Sequence, residues 1–204
     1  NIDPKDIIKK ISRRTKAIMA VDIFGHPCNI LELKKICKKY KLKLITDSAQ
    51  APYSLFKKKI AATISDVGGI SLNYHKHIHT GEGGVIFTNS DKIAQKLNLI
   101  RNHAESVVKS KNKNILSNLI GYNFRLGEIE SAIGIEQLKK LKTEVKKKQT
   151  ICKQLTKGLE DLPGLILPKS LKNYTHSYYV YGINLDLKKL KYSRDLILKK
   201  LQLK

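Results

Sequence analysis

The chain has 204 residues, of which 41% are hydrophobic, and its formal net charge is +23. This length fits one sizeable domain with part of a second, and no apolar run is long enough to predict a membrane-spanning helix. The first residues, NIDPKDIIKK, show no charged-then-apolar secretory pattern, and Met19 is the only methionine. We therefore expect that the sequence starts inside a longer reading frame or that an upstream piece was removed. Three unpaired cysteines favour free thiols in a reducing cytoplasm.

The positive charge comes almost entirely from lysine. Only five of the 40 basic residues are arginine, and the other 35 are lysine. Proteins that read nucleic acids favour arginine for bidentate contacts, and single-strand binders interleave basic and aromatic residues. We therefore interpret the charge as a composition bias rather than a nucleic-acid site, with weak adsorption to polyanions at low salt.

The first third of the sequence predicts a helix, a strand, a helix and a strand. Asp3 and Pro4 start the first helix, and the apolar run of residues 16–24 forms a buried strand. Asn29 caps the second helix, and the strand KLKLIT ends at Asp47. The second helix has apolar residues at helical spacing, namely Ile30, Leu33, Cys37 and Tyr40. A strand–helix–strand unit predicts a parallel sheet and hence an α/β fold.

The middle of the chain continues the sheet. Residues 66–71, DVGGIS, and residues 85–88, VIFT, read as strands. Asn89-Ser90-Asp91 caps a helix that we expect to reach about Asn102.

The remainder is less regular. Residues 105–118 are polar and predict a loop or a marginal helix, and a long helix follows from about Leu126 to residue 158. Beyond it, YYVYGINL, residues 178–185, predicts a strand, and residues 193–202 predict a helix.

Two polar side chains follow the strand that ends at residue 46. Asp47 lies where α/β folds place ligands, at the carboxyl end of a parallel strand, and Gln50 is close enough to reach the same ligand. Taken alone, an aspartate there is more often a loop or cap residue.

A lysine among histidines is the second candidate. Lys76 stands between His75 and His77, with His79 nearby, and the turn GEGG follows at residues 81–84. A lysine becomes a nucleophile through desolvation or nearby positive charge, which these histidines could supply. Taken alone, Lys76 is one lysine among 35, and the glycine turn fits neither a Walker loop nor a dinucleotide fingerprint.

The third candidate is the cluster GYNFR ahead of the long helix. Asn123 and Arg125 there either bind an anion or tie down a loop, and the residues alone do not separate these readings.

Taken in order, these motifs are far more specific than any one of them. The order is a strand ending in DSAQ, then Ser71 and Lys76, then TGEGG, then GYNFR before a long helix. This set resembles the DegT–StrS family of sugar aminotransferases that use pyridoxal 5'-phosphate (PLP). The resemblance implies a three-layer α/β sandwich of the PLP-dependent transferase type with a mostly parallel sheet, incomplete here, and a truncated small α+β domain.

The resemblance also implies a role for each residue. Lys76 matches the lysine that forms a Schiff base with PLP, and Asp47 matches the carboxylate at the pyridine nitrogen. Gln50 matches a side chain against the cofactor ring near its phenolic oxygen, and Ser71 a hydroxyl that binds the phosphate. Asn123 matches an asparagine that reaches the phosphate held by the neighbouring subunit, which implies a homodimer with shared sites.

The reaction implied is transfer of an amino group, usually from glutamate, to a nucleotide-linked keto-sugar, in amino-sugar or surface-polysaccharide biosynthesis in the cytoplasm. A sister group of dehydratases carries histidine in place of the lysine, so Lys76 favours a transaminase.

Family members are longer than this chain, so we expect a fragment. Residues 1–125 would be part of the large PLP-binding domain, and residues 126–158 would form a connecting helix. Residues 159–204 would be part of the small domain. An inactive truncated member that acts through its dimer surface is the alternative function. A basic polyanion-binding protein is a more distant one.

Overall fold

The structure, a computed structural model, describes residues 1–105 and 119–203. The predicted loop at 105–118 therefore lies outside the described residues except for Glu105. The helices are α1 (Pro4–Lys10), α2 (Ile30–Tyr40), α3 (Asp91–Arg101), α4 (Glu128–Leu159) and α5 (Arg194–Gln202). The strands are β1 (Ala17–Val21), β2 (Lys43–Asp47), β3 (Leu55–Phe56), β4 (Lys59–Ile60), β5 (Val67–Ser71), β6 (Gly84–Phe87), β7 (Leu165–Ile166) and β8 (Asn184–Leu185).

The main sheet has four strands in the order β1-β2-β5-β6. β1, β2 and β5 are parallel, and β6 runs antiparallel to β5. The predicted α/β fold with a mostly parallel sheet is therefore confirmed. In the register, Val21 lies beside Asp47, and Asp47 lies beside Gly69. The carboxyl ends of the three parallel strands consequently meet at one edge of the sheet.

A single apolar core joins α1 and α2 to the sheet. The helices start where side chains satisfy free backbone N–H groups, since Asp3 accepts from Lys5 N at 2.8 Å and Asn29 from Glu32 N at 3.3 Å. The buried side chains of this core include Ile18, Ala20, Ile30, Leu33, Ile36 and Leu44. This packing fixes the strand ends that carry the candidate site.

The long helix α4 is held to the sheet by a second, smaller cluster. Leu141 and Val145 of α4 pack against Leu72 and Ile78, which flank Lys76 in the sequence. α4 begins at Glu128, close to the predicted start, and its packing fixes the segment that carries Lys76. The predicted domain division at 125/126 and 158/159 stays a prediction.

The strand predicted at 178–185 is wrong for most of its length. Only Asn184–Leu185 forms a strand, paired with β7. Tyr178 has a φ of 53°, which interrupts an extended run. The residues before it bond to other parts of the chain: Thr175 N donates to Leu55 O in β3, and Ser177 N donates to Gly25 O in the turn after β1. We call residues 174–180 the strap.

Within residues 1–105 and 119–203, no helix has both the length and the apolar character needed to cross a membrane. The same residues contain no group of three or more His, Cys, Asp or Glu side chains that could hold a metal ion.

Candidate active site

The candidate site lies at the carboxyl edge of β2 and β5. β2 ends at Asp47, beside Gly69, and β5 ends two residues later at Ser71. Ser48 N donates to Gly69 O at 2.8 Å, which ties the loop after β2 to the neighbouring strand. The fold therefore brings the predicted carboxylate and hydroxyl to adjacent strand ends, where α/β sheets bind ligands.

Asp47 is half-buried and has few partners. Its Oδ1 accepts from Ala49 N at 3.0 Å. In a chain with 40 basic residues, this carboxylate forms no salt bridge with any described lysine or arginine. It is therefore free to receive a cationic group of a ligand.

Asp22 is a second carboxylate at this edge, and sequence reasoning missed it. It follows β1 directly and is fully buried. It accepts from Ser48 Oγ at 2.5 Å and from Cys28 N at 2.8 Å. Burial raises the pKa of Asp22. The sequence signal was the same as for Asp47, an aspartate at a strand end. In the structure, Asp22 hydrogen-bonds to Ser48 and so fixes the loop that follows Asp47.

The turn after β5 links Ser71, Lys76 and the glycine turn through Asn73. Asn73 N donates to Ser71 Oγ at 3.1 Å, and Lys76 N donates to Asn73 O at 2.9 Å. The Asn73 side chain donates to Glu82 Oε1 at 2.7 Å. Asn73 is thus a positioning residue that we did not single out from the sequence.

Two residues of the glycine turn have backbone conformations that favour glycine. Gly81 and Gly83 have φ values of +89° and +145°, which other residues rarely adopt. A Cβ on Gly83 would also lie 2.9 Å from Leu126 Cδ1. Gly83 O accepts from Leu72 N at 2.9 Å, so the turn closes against the segment that carries Lys76.

The amine of Lys76 lies against an aromatic ring from the strap. Lys76 Nζ is 4.9 Å from the centroid of the Tyr179 ring, and Lys76 is half-buried. Among the described residues, Lys76 forms no salt bridge with a carboxylate. No local sequence signal indicated Tyr179, because the contact joins residues 103 positions apart.

The neighbouring histidines contribute less positive charge than the sequence suggested. The Nε2 of His77 hydrogen-bonds with Ser177 O at 2.9 Å, which requires it to donate. Burial lowers the pKa of His77, with Lys148 and Lys76 adding to the effect, so the ring is neutral at neutral pH. His75 and His79 are exposed. The lowered pKa of His77 argues against a positive field from this ring at Lys76.

The side-chain oxygen of Gln50 is hydrogen-bonded within the protein. Its Oε1 accepts from Phe24 N at 2.6 Å and so holds the turn after β1. Its amide NH₂ has no hydrogen-bond partner among residues 1–105 and 119–203. That group remains available to donate to a ligand oxygen.

Asn123 is not brought to Lys76 by any described contact within the chain. It is exposed and forms an isolated bridge with Asn102. Arg125 Nη1 donates to Asn102 Oδ1 at 2.8 Å, which favours a loop-fixing role for Arg125. The role of Asn123 at a neighbouring subunit's site stays a prediction.

The contact between His26 and His176 of the strap predicts a pH dependence of stability. His176 is 5% exposed, its ring stacks on Tyr178 at 4.0 Å, and the His26 ring is 5.4 Å away. Burial, aided by the nearby His26, lowers the pKa of His176 from 6.5 to about 4. Between these values the unfolded chain binds a proton that the folded chain does not, so stability is full above pH 6.5 and falls towards pH 4.

We expect the titration of His176 to lower the free energy of unfolding by at most roughly 3 kcal/mol between pH 7.5 and pH 4.5. Urea unfolding at the two pH values measures this difference. His176→Gln removes the titrating group, so its stability should change less between the two pH values. A variant with the full pH dependence of the parent would contradict this assignment.

Comparison with known proteins identifies the class. All 204 residues match the profile of the DegT/DnrJ/EryC1/StrS aminotransferase family. The chain belongs to this family.

Characterised relatives are similar in sequence and in fold. The GDP-perosamine synthase of Vibrio cholerae is 34% identical over 185 residues, which cover 91% of this chain and 49% of that protein. Helicobacter pylori PseC, an aminotransferase involved in the biosynthesis of pseudoaminic acid, superposes with a TM-score of 0.86 at 31% identity, over 99% of this chain and 54% of that one. The E. coli GDP-4-keto-6-deoxy-D-mannose-3-dehydratase with bound hydrated PLP gives a TM-score of 0.84 at 29% identity, over 99% of this chain and 55% of that one. The chain spans about half the length of these relatives.

Proposed function

We propose that the protein is a PLP-dependent aminotransferase that moves an amino group from glutamate to a nucleotide-linked keto-sugar in amino-sugar biosynthesis. One observation carries the proposal: in a member of this aminotransferase family, Lys76 follows the strand β5, and the adjacent strand β2 ends at the unpaired carboxylate Asp47. An amine and a free carboxylate at one sheet edge suit an aldehyde cofactor with a basic ring nitrogen.

The residues present fit PLP. The Lys76 amine would hold its aldehyde carbon, the Asp47 carboxylate its ring nitrogen and the Ser71 hydroxyl its phosphate. The free amide NH₂ of Gln50 suits the phenolic oxygen. When bound, PLP supplies an electron sink that stabilises a carbanion at the carbon that carries the amino group.

The side chains of the chain supply charge and proton transfer. Asp47 places a negative charge at the ring nitrogen and so favours its protonated form. Ser71 Oγ already accepts from Asn73 N, so its proton is free to donate to a phosphate oxygen. The free amine of Lys76 would serve as the base that takes a proton from the substrate carbon and returns it to another carbon.

Lysine at position 76 favours amino transfer over dehydration. A free lysine amine can both exchange with a substrate amine and move a proton, whereas a histidine can move the proton but cannot form the covalent bond. Two relatives support a nucleotide-linked keto-sugar: the Vibrio cholerae protein is a GDP-perosamine synthase, and the E. coli protein is a GDP-4-keto-6-deoxy-D-mannose-3-dehydratase.

The test is a two-substrate titration of the chain with PLP. We expect an imine absorbance band that glutamate removes and that a nucleotide-linked keto-sugar restores, because the two substrates use the same site in turn. Aspartate serves as the control donor. A band that neither glutamate nor the sugar alters would contradict the proposed activity. That result is the one expected for an inactive family member.

We further infer a homodimer that uses the exposed apolar surface before and along the first half of α4. Asn123 lies on this surface, and the rings of Tyr122 and Phe124 stack at 5.0 Å without being buried. Large apolar side chains exposed in such number mark a protein interaction surface. Its exposed side chains are Ile120, Tyr122, Phe124, Leu126, Ile129, Ile133, Ile135 and Leu138.

Ile129→Glu tests this dimer. Ile129 is 76% exposed, so the variant should fold, yet a charge in the apolar centre should weaken dimerisation about tenfold or more. Sedimentation equilibrium measures the dissociation constant. Ile166→Glu, at a 53% exposed position of β7, is the matched control and should leave it unchanged. Equal dissociation constants for both variants, or a monomeric parent, would contradict the interface.

A further inference from the structure

We propose that Tyr179 is a positioning residue for Lys76, whose ammonium rests on the face of the Tyr179 ring when the lysine carries no cofactor. The inference rests on the proposed function of Lys76 and adds to it a residue from the far end of the chain.

The contact has the geometry of a cation–π interaction. Lys76 Nζ is 4.9 Å from the ring centroid, within the roughly 6 Å over which a cation is attracted to an aromatic face. Lys76 has no carboxylate partner among the described residues. Tyr179 is thus the group that the described structure offers to this amine.

The backbone on both sides of Tyr179 is fixed. Two residues before it, Ser177 is fully buried and its N–H donates to Gly25 O at 2.8 Å. One residue after it, Val180 N donates to Phe24 O at 3.3 Å. The fit is close, because a Cβ on Gly25 would lie 2.9 Å from Tyr179 N. The ring therefore occupies a position set by the fold.

A second contact joins the same two segments one residue further on. His77, next to Lys76, donates from Nε2 to Ser177 O at 2.9 Å, and its ring centroid is 5.9 Å from that of Tyr179. The turn that carries Lys76 and the strap thus meet at two adjacent points. Such a double contact limits how far the lysine can move relative to Tyr179.

A ring face suits a lysine that must later react. It attracts the ammonium without accepting its proton and without a directional hydrogen bond. A carboxylate would hold the amine more strongly and compete with imine formation. Tyr179 therefore holds the ammonium in place more weakly than a carboxylate would.

Nuclear magnetic resonance of the unmutated chain tests this contact directly. Reductive methylation with ¹³C-formaldehyde keeps the charge of each lysine. After hydroxylamine has removed any bound aldehyde, the methyl signal of Lys76, identified by its absence in Lys76→Arg, should lie upfield of the exposed lysines because of the ring current of Tyr179. A Lys76 signal that coincides with those of the exposed lysines would overturn the proposal.

Variants of Tyr179 give a second, independent readout. In Tyr179→Leu, acylation of Lys76 should be roughly two- to fivefold faster, as expected for loss of an exposed cation–π contact, and Tyr179→Phe should match the parent. Tyr192→Leu is the matched control, because Lys200 Nζ lies 4.8 Å from the Tyr192 ring, and it should leave Lys76 unchanged. Equal acylation of Lys76 in Tyr179→Leu and the parent would overturn the proposal.

These outcomes are separate from those of the proposed function. Lys76 that forms an imine with PLP but shows no ring-current shift would refute the role of Tyr179 alone. A ring-current shift without an imine would support Tyr179 and refute the aminotransferase proposal.

Discussion

Lys76→Ala is expected to abolish the saturable imine band that PLP forms with this chain. The reason is chemical: only a primary amine condenses with the aldehyde, and Lys76 lies in the turn after β5, which ends at Ser71 beside the strand that ends at Asp47. Absorbance titration with PLP, before and after borohydride, measures the band. Its loss should be essentially complete.

Non-specific reaction makes a control necessary here. PLP is an anion, and 35 lysines give it many weak sites on a chain of net charge +23. Lys200→Ala is the control, because it also removes a lysine amine from the face of an aromatic ring. The proposal does not assign Lys200 to PLP, and this variant should keep the saturable band. A band of equal size and affinity in Lys76→Ala would exclude Lys76 as the reactive lysine.

Gly68→Ala should destabilise the fold by about 3 kcal/mol or more. Gly68 lies in β5, and a Cβ there would be 1.8 Å from the backbone oxygen of Ala62 and 3.0 Å from Thr46 Oγ1. A backbone atom cannot move aside as a flexible side chain does, so the strand must shift. Since β5 ends at Ser71, that shift would also disturb the candidate site.

The next residue provides the control for Gly68. A Cβ on Gly69 would meet nothing closer than Val85 O at 3.8 Å, so Gly69→Ala should change stability by less than about 1 kcal/mol. Urea denaturation followed by circular dichroism compares the two variants. Equal midpoints for Gly68→Ala and Gly69→Ala would contradict the packing described at β5.

The sequence predicted elements whose signals are local. Caps at Asp3, Asn29 and Ser90 and the apolar strand runs are read from neighbouring residues, and the helices and main strands lie close to the predicted positions. Asp47 was predicted as a site residue because a strand-end carboxylate is a local signal. Asp22 carries the same signal. Only the structure shows that its carboxylate is buried and bonded to Ser48 and Cys28, so that it does not face a ligand.

What the sequence did not predict depends on contacts between distant residues. The aromatic run at 178–185 has the composition of a strand, yet the bonds from Ser177 and Val180 to the loop after β1 hold its first half in another conformation. The same long-range packing places Tyr179 at Lys76. No periodicity within the strap could have indicated either result.

The central claim is that one particular lysine of 35 binds PLP covalently, and peptide mapping tests it most directly. The chain is loaded with substoichiometric PLP, reduced with borohydride, digested and analysed by mass spectrometry. We predict that the pyridoxyl group is found predominantly on the peptide that contains Lys76. A label distributed over many lysines, or concentrated on a lysine other than Lys76, would contradict the claim.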